Sequence, residues 1–376
     1  MNKNRMDTSR KIALFLPSIG YGGAERVTVN LGGGIAARGF DVDLVFVTSD
    51  DPPLLTDIPA EVNLVDLEAG RVAASLPGLI RYLRRERPLA LLSALEHTNV
   101  IALLAARLAR VDTRIVVSVH TTVSRAIEDS TLFRSRLFPW LIRWFYPWAS
   151  KVVAVSEAAR NDLLAVTGLQ PDSIQVINNP VVTPRLFERA KAPLDHPWFA
   201  AGEPPVILGV GRLVTAKNFP LLLRAFALVR KEQPARLLIL GDGEQRQVLE
   251  SLADELGLTP HVAMPGFVDN PYPYMARAGA FVLSSSFEGL PTVLIEALAL
   301  GIPVVSTDCP SGPSEILQQG RWGTLVPVDD ERALAEGILQ ALRQPVADPG
   351  ETGSWQPYEL GRVVDQYLSL LTGEEA

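Results

Sequence analysis

The chain carries one cysteine, Cys309, among 376 residues. That excludes an intrachain disulfide framework and suits a reducing compartment. No base stands near Cys309 in the sequence to activate it, so it reads as a small, semi-buried residue. No run approaches the ~20 apolar residues of a membrane-spanning helix. The opening MNKNRMDTSRK has no apolar stretch, which predicts that there is no secretory signal. Excess positive charge is missing too. Acidic residues outnumber basic ones, 42 to 35, for a formal net charge of −7, which argues against broad nucleic-acid binding. The expected location is the cytoplasm, with the protein soluble or held peripherally at the inner face of the cell membrane. Dinucleotide fingerprints fail at their third glycine. Gly20-x-Gly22 is followed there by Glu25 and Gly209-x-Gly211 by Val214, so a nicotinamide cofactor is disfavoured.

What is present is length and alternation. A chain of this size exceeds one ordinary core, so two domains are expected. Short apolar runs alternate with helical patterns, which predicts an α/β fold with parallel sheets. In the first half the runs begin at Ile12, Val42, Leu89, Ile115, Lys151 and Ile174. In the second they begin at Val206, Leu237, Val262, Ala280, Val304 and Thr324. A proline-rich segment places the linker within 179–204. The expected architecture is two Rossmann-like domains facing a cleft: 1–185 with the C-terminal helix 354–376, and 186–353. Ligands of open parallel sheets bind beyond the carboxyl ends of the strands, so residues just after each run are the candidates.

The densest stretch is 279–317. It reads as a strand (280–283), a loop (284–290), a helix from Pro291 to Leu300, a strand (303–306) and another helix near Pro313. Pro291 suits the first helical position. The free N–H groups of Leu290, Thr292 and Val293, next to Gly289, then make a phosphate-sized anion site. Glu288 and Glu296 flank it. Carboxylates repel phosphate, so they read as acceptors for sugar hydroxyls on either side of a diphosphate. Arg212 and Lys217, in the loop after Val210, supply a planar fork and a point charge for that diphosphate. Gly22 and Gly23 form a turn that lets backbone approach a ligand closely. Two histidines lie just past strands. His97 reads as structural, and His120 as a site residue. Asp41-x-Asp43 opens a strand and is not read as a metal motif.

The E-x7-E unit Glu288–Glu296, in its FEGLPTVLIEALALGIPVVST setting, resembles the retaining glycosyltransferases of family 4, which have the GT-B fold. GGAERV, the strand-end histidine of SVHTT, GRLVTAKN and MPGFVDN match in order. The resemblance implies that Glu288 contacts the donor sugar and Glu296 the ribose. It implies that Arg212 and Lys217, beside Gly211, neutralise the leaving diphosphate, and that His120 lies against the donor sugar. It further implies that the Gly22–Gly23 loop closes over the phosphate and that the backbone at Gly266, Phe267 and Val268 reads the nucleobase. The substrate would be a nucleoside diphosphate sugar, UDP-linked on family frequency, with no metal or other cofactor and with the last helix returning to the N-terminal domain. CPSGPSEIL and GGAERV resemble members that build bacterial surface polysaccharides on polyprenyl-diphosphate carriers. A non-catalytic sugar-nucleotide or lipid-binding subunit, and an epimerase or phosphorylase-like enzyme on the same fold, are the alternatives.

One surface stands apart from that chemistry. Residues 132–148 hold Trp140, Trp144 and Trp148 with Arg134, Arg136 and Arg143, and 79–87 hold Arg81, Arg84, Arg85 and Arg87. Tryptophan and arginine together suit an anionic membrane surface.

Overall fold

A computed structural model describes residues 10–19, 23–48, 58–120, 124, 138–310, 312–344 and 353–374. The valine, isoleucine and leucine runs form parallel strands in two sheets. The first contains β1 (Lys11–Leu16), β2 (Asp41–Phe46), β3 (Val62–Asp66), β4 (Ala90–Ala94), β5 (Arg114–Val119), β6 (Lys151–Ala154) and β7 (Ile174–Val176), in the order β3-β2-β1-β4-β5-β6-β7. The second contains β8 (Val206–Val210), β9 (Arg236–Leu240), β10 (Val262–Gly266), β11 (Ala280–Leu283), β12 (Val304–Thr307) and β13 (Thr324–Val326), in the order β10-β9-β8-β11-β12-β13. Each sheet reverses its strand order once, between β1 and β4 and between β8 and β11.

The periodicity left out β3. Only Val62 of its five residues is buried, because it is an edge strand with a wet face and so carries no apolar run. The central strands show the opposite pattern. In β1, Ile12, Leu14 and Leu16 enter one core with Val29, Leu31 and Ile35, while Ala13 and Phe15 enter another with Leu79, Leu83 and Leu103. A parallel sheet covered on both faces needs such continuous apolarity.

The chain divides into two units, Met1–Val181 with Tyr358–Ala376, and Val182–Pro357. The helix Pro184–Ala190 is tied within the second unit. Thr183 caps it through Leu186 N–H at 3.3 Å, Arg189 reaches Asp269 at 2.8 Å, and Arg277 donates to Ala190 O at 3.3 Å.

The last helix, Leu360–Thr372, packs into the first unit. Glu359 caps its start, accepting from Gly361 and Arg362 N–H, and Gly373 at φ +78° ends it. Val363, Val364, Tyr367 and Leu371 join the core that holds Ile12 and Leu14. Arg38 binds Asp365 at 2.6 Å, and Arg114 donates to Leu370 O at 2.6 Å. The approach to helix Gly23–Ala36 is close enough that a Cβ on Gly34 would fall 2.4 Å from Val364 Cγ2. Val364 is β-branched and cannot swing aside. Gly34→Ala is therefore expected to destabilise the first unit by about 1–3 kcal/mol through overpacking, read as a lower thermal midpoint. An unchanged midpoint would mean that the last helix is not seated this tightly.

Candidate active site

In the second unit the order reversal puts two loops side by side at the carboxyl ends of β8 and β11, where open α/β sheets take their ligands. The loop after β8 crosses the turn after β9 at van der Waals limits. Gly211 N–H donates to Leu240 O and Leu213 N–H to Asp242 O, each at 2.9 Å, and Gly241 N–H donates to Gly266 O at 2.8 Å. A Cβ on Gly241, itself at φ +139°, would lie 1.9 Å from Gly211 O. The Gly241-Asp242-Gly243 turn is thus a seat for the Arg212 loop. After the 3-10 turn Thr215–Lys217, Asn218 adopts φ 45° and opens helix Phe219–Glu232, a left-handed position that asparagine tolerates.

The loop after β11 is stitched to the first. Ser284 Oγ donates to Lys217 O at 2.9 Å, and Ser286 N–H to Ala216 O at 2.9 Å. Thr307 Oγ1, on β12, donates to Ser285 O at 2.6 Å. Ser285 Oγ and Lys217 Nζ each donate to Glu288 Oε1 at 2.6 Å. Glu288 is 9% exposed, and the Lys217 stem lies over Gly211, where a Cβ would come 3.2 Å from Cε. Lys217, Glu288 and Gly211 are thereby brought together. Arg212 is exposed, and its guanidinium makes no hydrogen bond or ion pair to the described residues.

Pro291 does not begin the helix as expected. Its ψ of 90° is not helical, so it is the N-cap of Thr292–Ala299. Thr292 and Val293, both half-buried, then hold first-turn N–H groups without intrahelical partners. Gly289 and Leu290 precede them, half-buried. Gly312, at φ +112°, brings the next loop onto this corner, where a Cβ would fall 2.6 Å from Pro291 Cδ. Glu296 is buried, and Tyr272 O–H donates to its Oε1 at 3.0 Å. Gly266 (φ +98°) ends β10, with Phe267 72% exposed beyond it and Val268 half-buried. Cys309 is buried, and desolvation with the Glu288 carboxylate nearby pushes its thiol up to about 12, so it stays protonated.

In the first unit, His120 follows β5 with Nε2 3.1 Å from Ser118 Oγ. Burial pushes its pKa down to about 4, so the ring is neutral near pH 7. His97 is exposed, whereas its neighbour Glu96 is buried beside Leu95, which sits at φ 77°. Gly23 begins its helix exposed, with no atom within 4 Å of a Cβ position, so packing does not require a glycine there. Gly22 lies outside the described residues. Asp43, inside β2, accepts from Tyr82 O–H at 2.8 Å and pairs with Lys11 at 3.2 Å.

Ser284, Ser285, Ser286, Thr307 and Tyr272 were not singled out from the sequence. Three serines at the end of a buried strand were the available signal.

Residues 193–352 match the family model described as Glycosyl transferases group 1, and residues 21–185 match Glycosyltransferase Family 4. Over 344 residues, 89% of this chain and 90% of the other, the protein is 32% identical to the N-acetylgalactosamine-N,N'-diacetylbacillosaminyl-diphospho-undecaprenol 4-alpha-N-acetylgalactosaminyltransferase of Campylobacter jejuni. The chain belongs to glycosyltransferase family 4. This glycosyltransferase is also 28% identical to the amylovoran biosynthesis glycosyltransferase AmsD of Erwinia amylovora, over 79% of this chain and 80% of that one. In fold it is similar to Anabaena HepE, crystallised with UDP, at a TM-score of 0.77 and 20% identity over 96% of this chain and 100% of that one.

In this glycosyltransferase the Lys217–Glu288 pair is buried enough that neither charge can be removed alone without cost. Lys217→Ala is expected to destabilise the second unit by about 1–3 kcal/mol, because a buried carboxylate loses its cation. Adding Glu288→Gln should return most of the loss. Thermal unfolding of the single and double variants checks the coupling, and strictly additive losses would show that the pair is not a unit.

Proposed function

We propose that this glycosyltransferase moves a sugar from a UDP-sugar to a hydroxyl of a glycan carried on a polyprenyl diphosphate, with retention of anomeric configuration and without a metal, in the synthesis of a bacterial surface polysaccharide or glycoconjugate. The observation that carries the reading is the pair of stitched loops, which hold an unpaired guanidinium, an anchored ammonium and a helix start at one corner of the second sheet. The C1–O bond to the diphosphate breaks, and its electron pair goes to the phosphate oxygen. Arg212, Lys217 and the N–H groups of Thr292 and Val293 stabilise that charge in place. The acceptor oxygen bonds C1 on the same face, and its proton passes to the leaving phosphate oxygen. Glu288 is already engaged by Lys217 and Ser285, which argues against its use as a nucleophile in a double displacement. In this reading it accepts from a donor-sugar hydroxyl, Glu296 accepts from the ribose, and neutral His120 contacts the sugar.

The UDP held by the Anabaena neighbour and the undecaprenyl diphosphate in the name of the Campylobacter relative support the donor and acceptor classes. So does the arginine–tryptophan surface of the first unit. No helix of the described residues is long and apolar enough to cross a membrane. Yet Trp140 and Trp144 stand 63% and 70% exposed on the helix Phe138–Phe145. The Arg107 guanidinium lies 5.0 Å over Trp148, and Arg84 donates to Leu108 O at 2.9 Å. These contacts tie Arg84 and Trp148 to the same helix, Glu96–Ala109, and exposed arginine with exposed tryptophan is a composition that suits anionic headgroups. The expected role of that surface is to hold the enzyme where a lipid-linked acceptor resides.

Two measurements test this. Across a panel of UDP- and GDP-sugars, UDP-sugars are expected to raise the thermal midpoint, and Arg212→Ala should weaken UDP about 10- to 100-fold while leaving the unliganded midpoint unchanged. No protection by any sugar nucleotide would refute the donor assignment. Co-sedimentation with phosphatidylglycerol vesicles, but not with phosphatidylcholine alone, is expected for the wild type and should be lost in Trp140→Ala/Trp144→Ala. Equal binding by the variant would remove the membrane reading.

A further inference from the structure

Ser118, on β5, is buried, and its Oγ lies 3.1 Å from His120 Nε2 and 3.4 Å from the hydroxyl of Tyr367 on the last helix. Tyr367 is buried as well, and desolvation pushes its phenol up to about 12, so it keeps its proton. Its hydroxyl has no other partner among the described residues. His120 Nδ1 is buried without a hydrogen-bond partner. The backbone of Ser118 is held independently, because Asn99 Nδ2 donates to its carbonyl at 2.9 Å and to Tyr146 Oη at 3.0 Å.

Three protons can be distributed over Tyr367, Ser118 and the imidazole, and the arrangements are not equivalent. If Tyr367 donates to Ser118 and Ser118 donates to Nε2, the Nδ1–H and the weakly accepting phenol oxygen are left unpaired. If Nε2–H donates to Ser118 and Ser118 to Tyr367, the phenolic proton and the Nδ1 lone pair are left. If Tyr367 and Nε2–H both donate to Ser118, three are left: the serine proton, the phenol oxygen and the Nδ1 lone pair. Each orphaned buried group costs free energy, and the first arrangement is favoured because it satisfies the strongest donor, the phenol, and the strongest acceptor, the imidazole nitrogen. We propose that Tyr367 and Ser118 are positioning residues that hold His120 as the Nδ1–H tautomer, so that the ring meets its ligand as a hydrogen-bond donor and not as an acceptor. The C-terminal helix thereby becomes part of the site's chemistry as well as of the fold. The tautomer claim stands on the geometry alone. Its consequence for the donor rests on the placement of His120 under the proposed function.

The test uses the full chain labelled with 15N-histidine, with His120→Asn to identify the ring's signals among those of the four histidines. In the wild type at neutral pH, Nδ1 should be protonated and Nε2 pyridine-like. Ser118→Ala should shift the ring toward Nε2–H, the form that free imidazole side chains favour in water, and Tyr367→Phe should give a mixture. An Nε2–H wild type, or a Ser118→Ala spectrum like the wild type, overturns the proposal. Each variant deletes a single oxygen, and should Ser118→Ala fail to fold, Tyr367→Phe carries the same test. In parallel, Ser118→Ala is expected to weaken the protecting UDP-sugar about tenfold and leave UDP unchanged. A shifted tautomer with unchanged UDP-sugar affinity would separate the two ideas: the relay stands, and His120 is not at the donor sugar.

Discussion

The second unit is organised by one electrostatic constraint, a lysine held against a buried glutamate by backbone that cannot move independently. Lys217 and Glu288 come from loops 71 residues apart in the chain. The lysine and the glutamate meet only because the two loops are tied together. Ser284 and Ser286 tie the lysine's loop to the glutamate's, Ser285 shares the glutamate's oxygen, and Thr307 fastens the whole to the next strand. A charge fixed this way needs little reorganisation when negative charge develops beside it, which is the condition under which preorganised cations contribute most.

Glycine serves the same end by being absent as a side chain. Gly241 and Gly243 let the arginine-bearing loop lie directly on the next turn, and Gly312 does so for the loop over Pro291. The three turns after β8, β9 and β10 behave as one surface because their backbones touch. Among the described residues the exposed Arg212 guanidinium has no partner.

In the first unit the last helix has two anchor points on β5, Arg114 to Leu370 O and Tyr367 to Ser118. A segment nearly 250 residues later in the chain therefore touches the strand end where His120 sits. Burial keeps that histidine neutral, with its pKa about 4. Below the unfolded-state value of 6.5, the unfolded chain takes up a proton that the native ring refuses. His120 accordingly favours the native state above pH 6.5, and this contribution is lost as the pH falls from 6.5 toward 4.

Read alone, the sequence yielded the parallel α/β class, twelve of the thirteen described strands and the positions of the charged residues at strand ends; the return of the last helix came from the family resemblance. The class, the strands and the charged positions follow from local periodicity, and from the rule that parallel strands point their carboxyl ends the same way. It did not show β3, whose wet face gives no apolar run, nor the N-cap role of Pro291, which depends on a ψ angle set by the loop. Which polar side chains meet emerged from the fold alone: the serines with Lys217 and Glu288, Tyr272 with Glu296, Tyr367 with Ser118. Serine, threonine and tyrosine carry no periodic signal, and their hydrogen-bond partners are fixed by strand order and close approach, which no stretch of sequence contains.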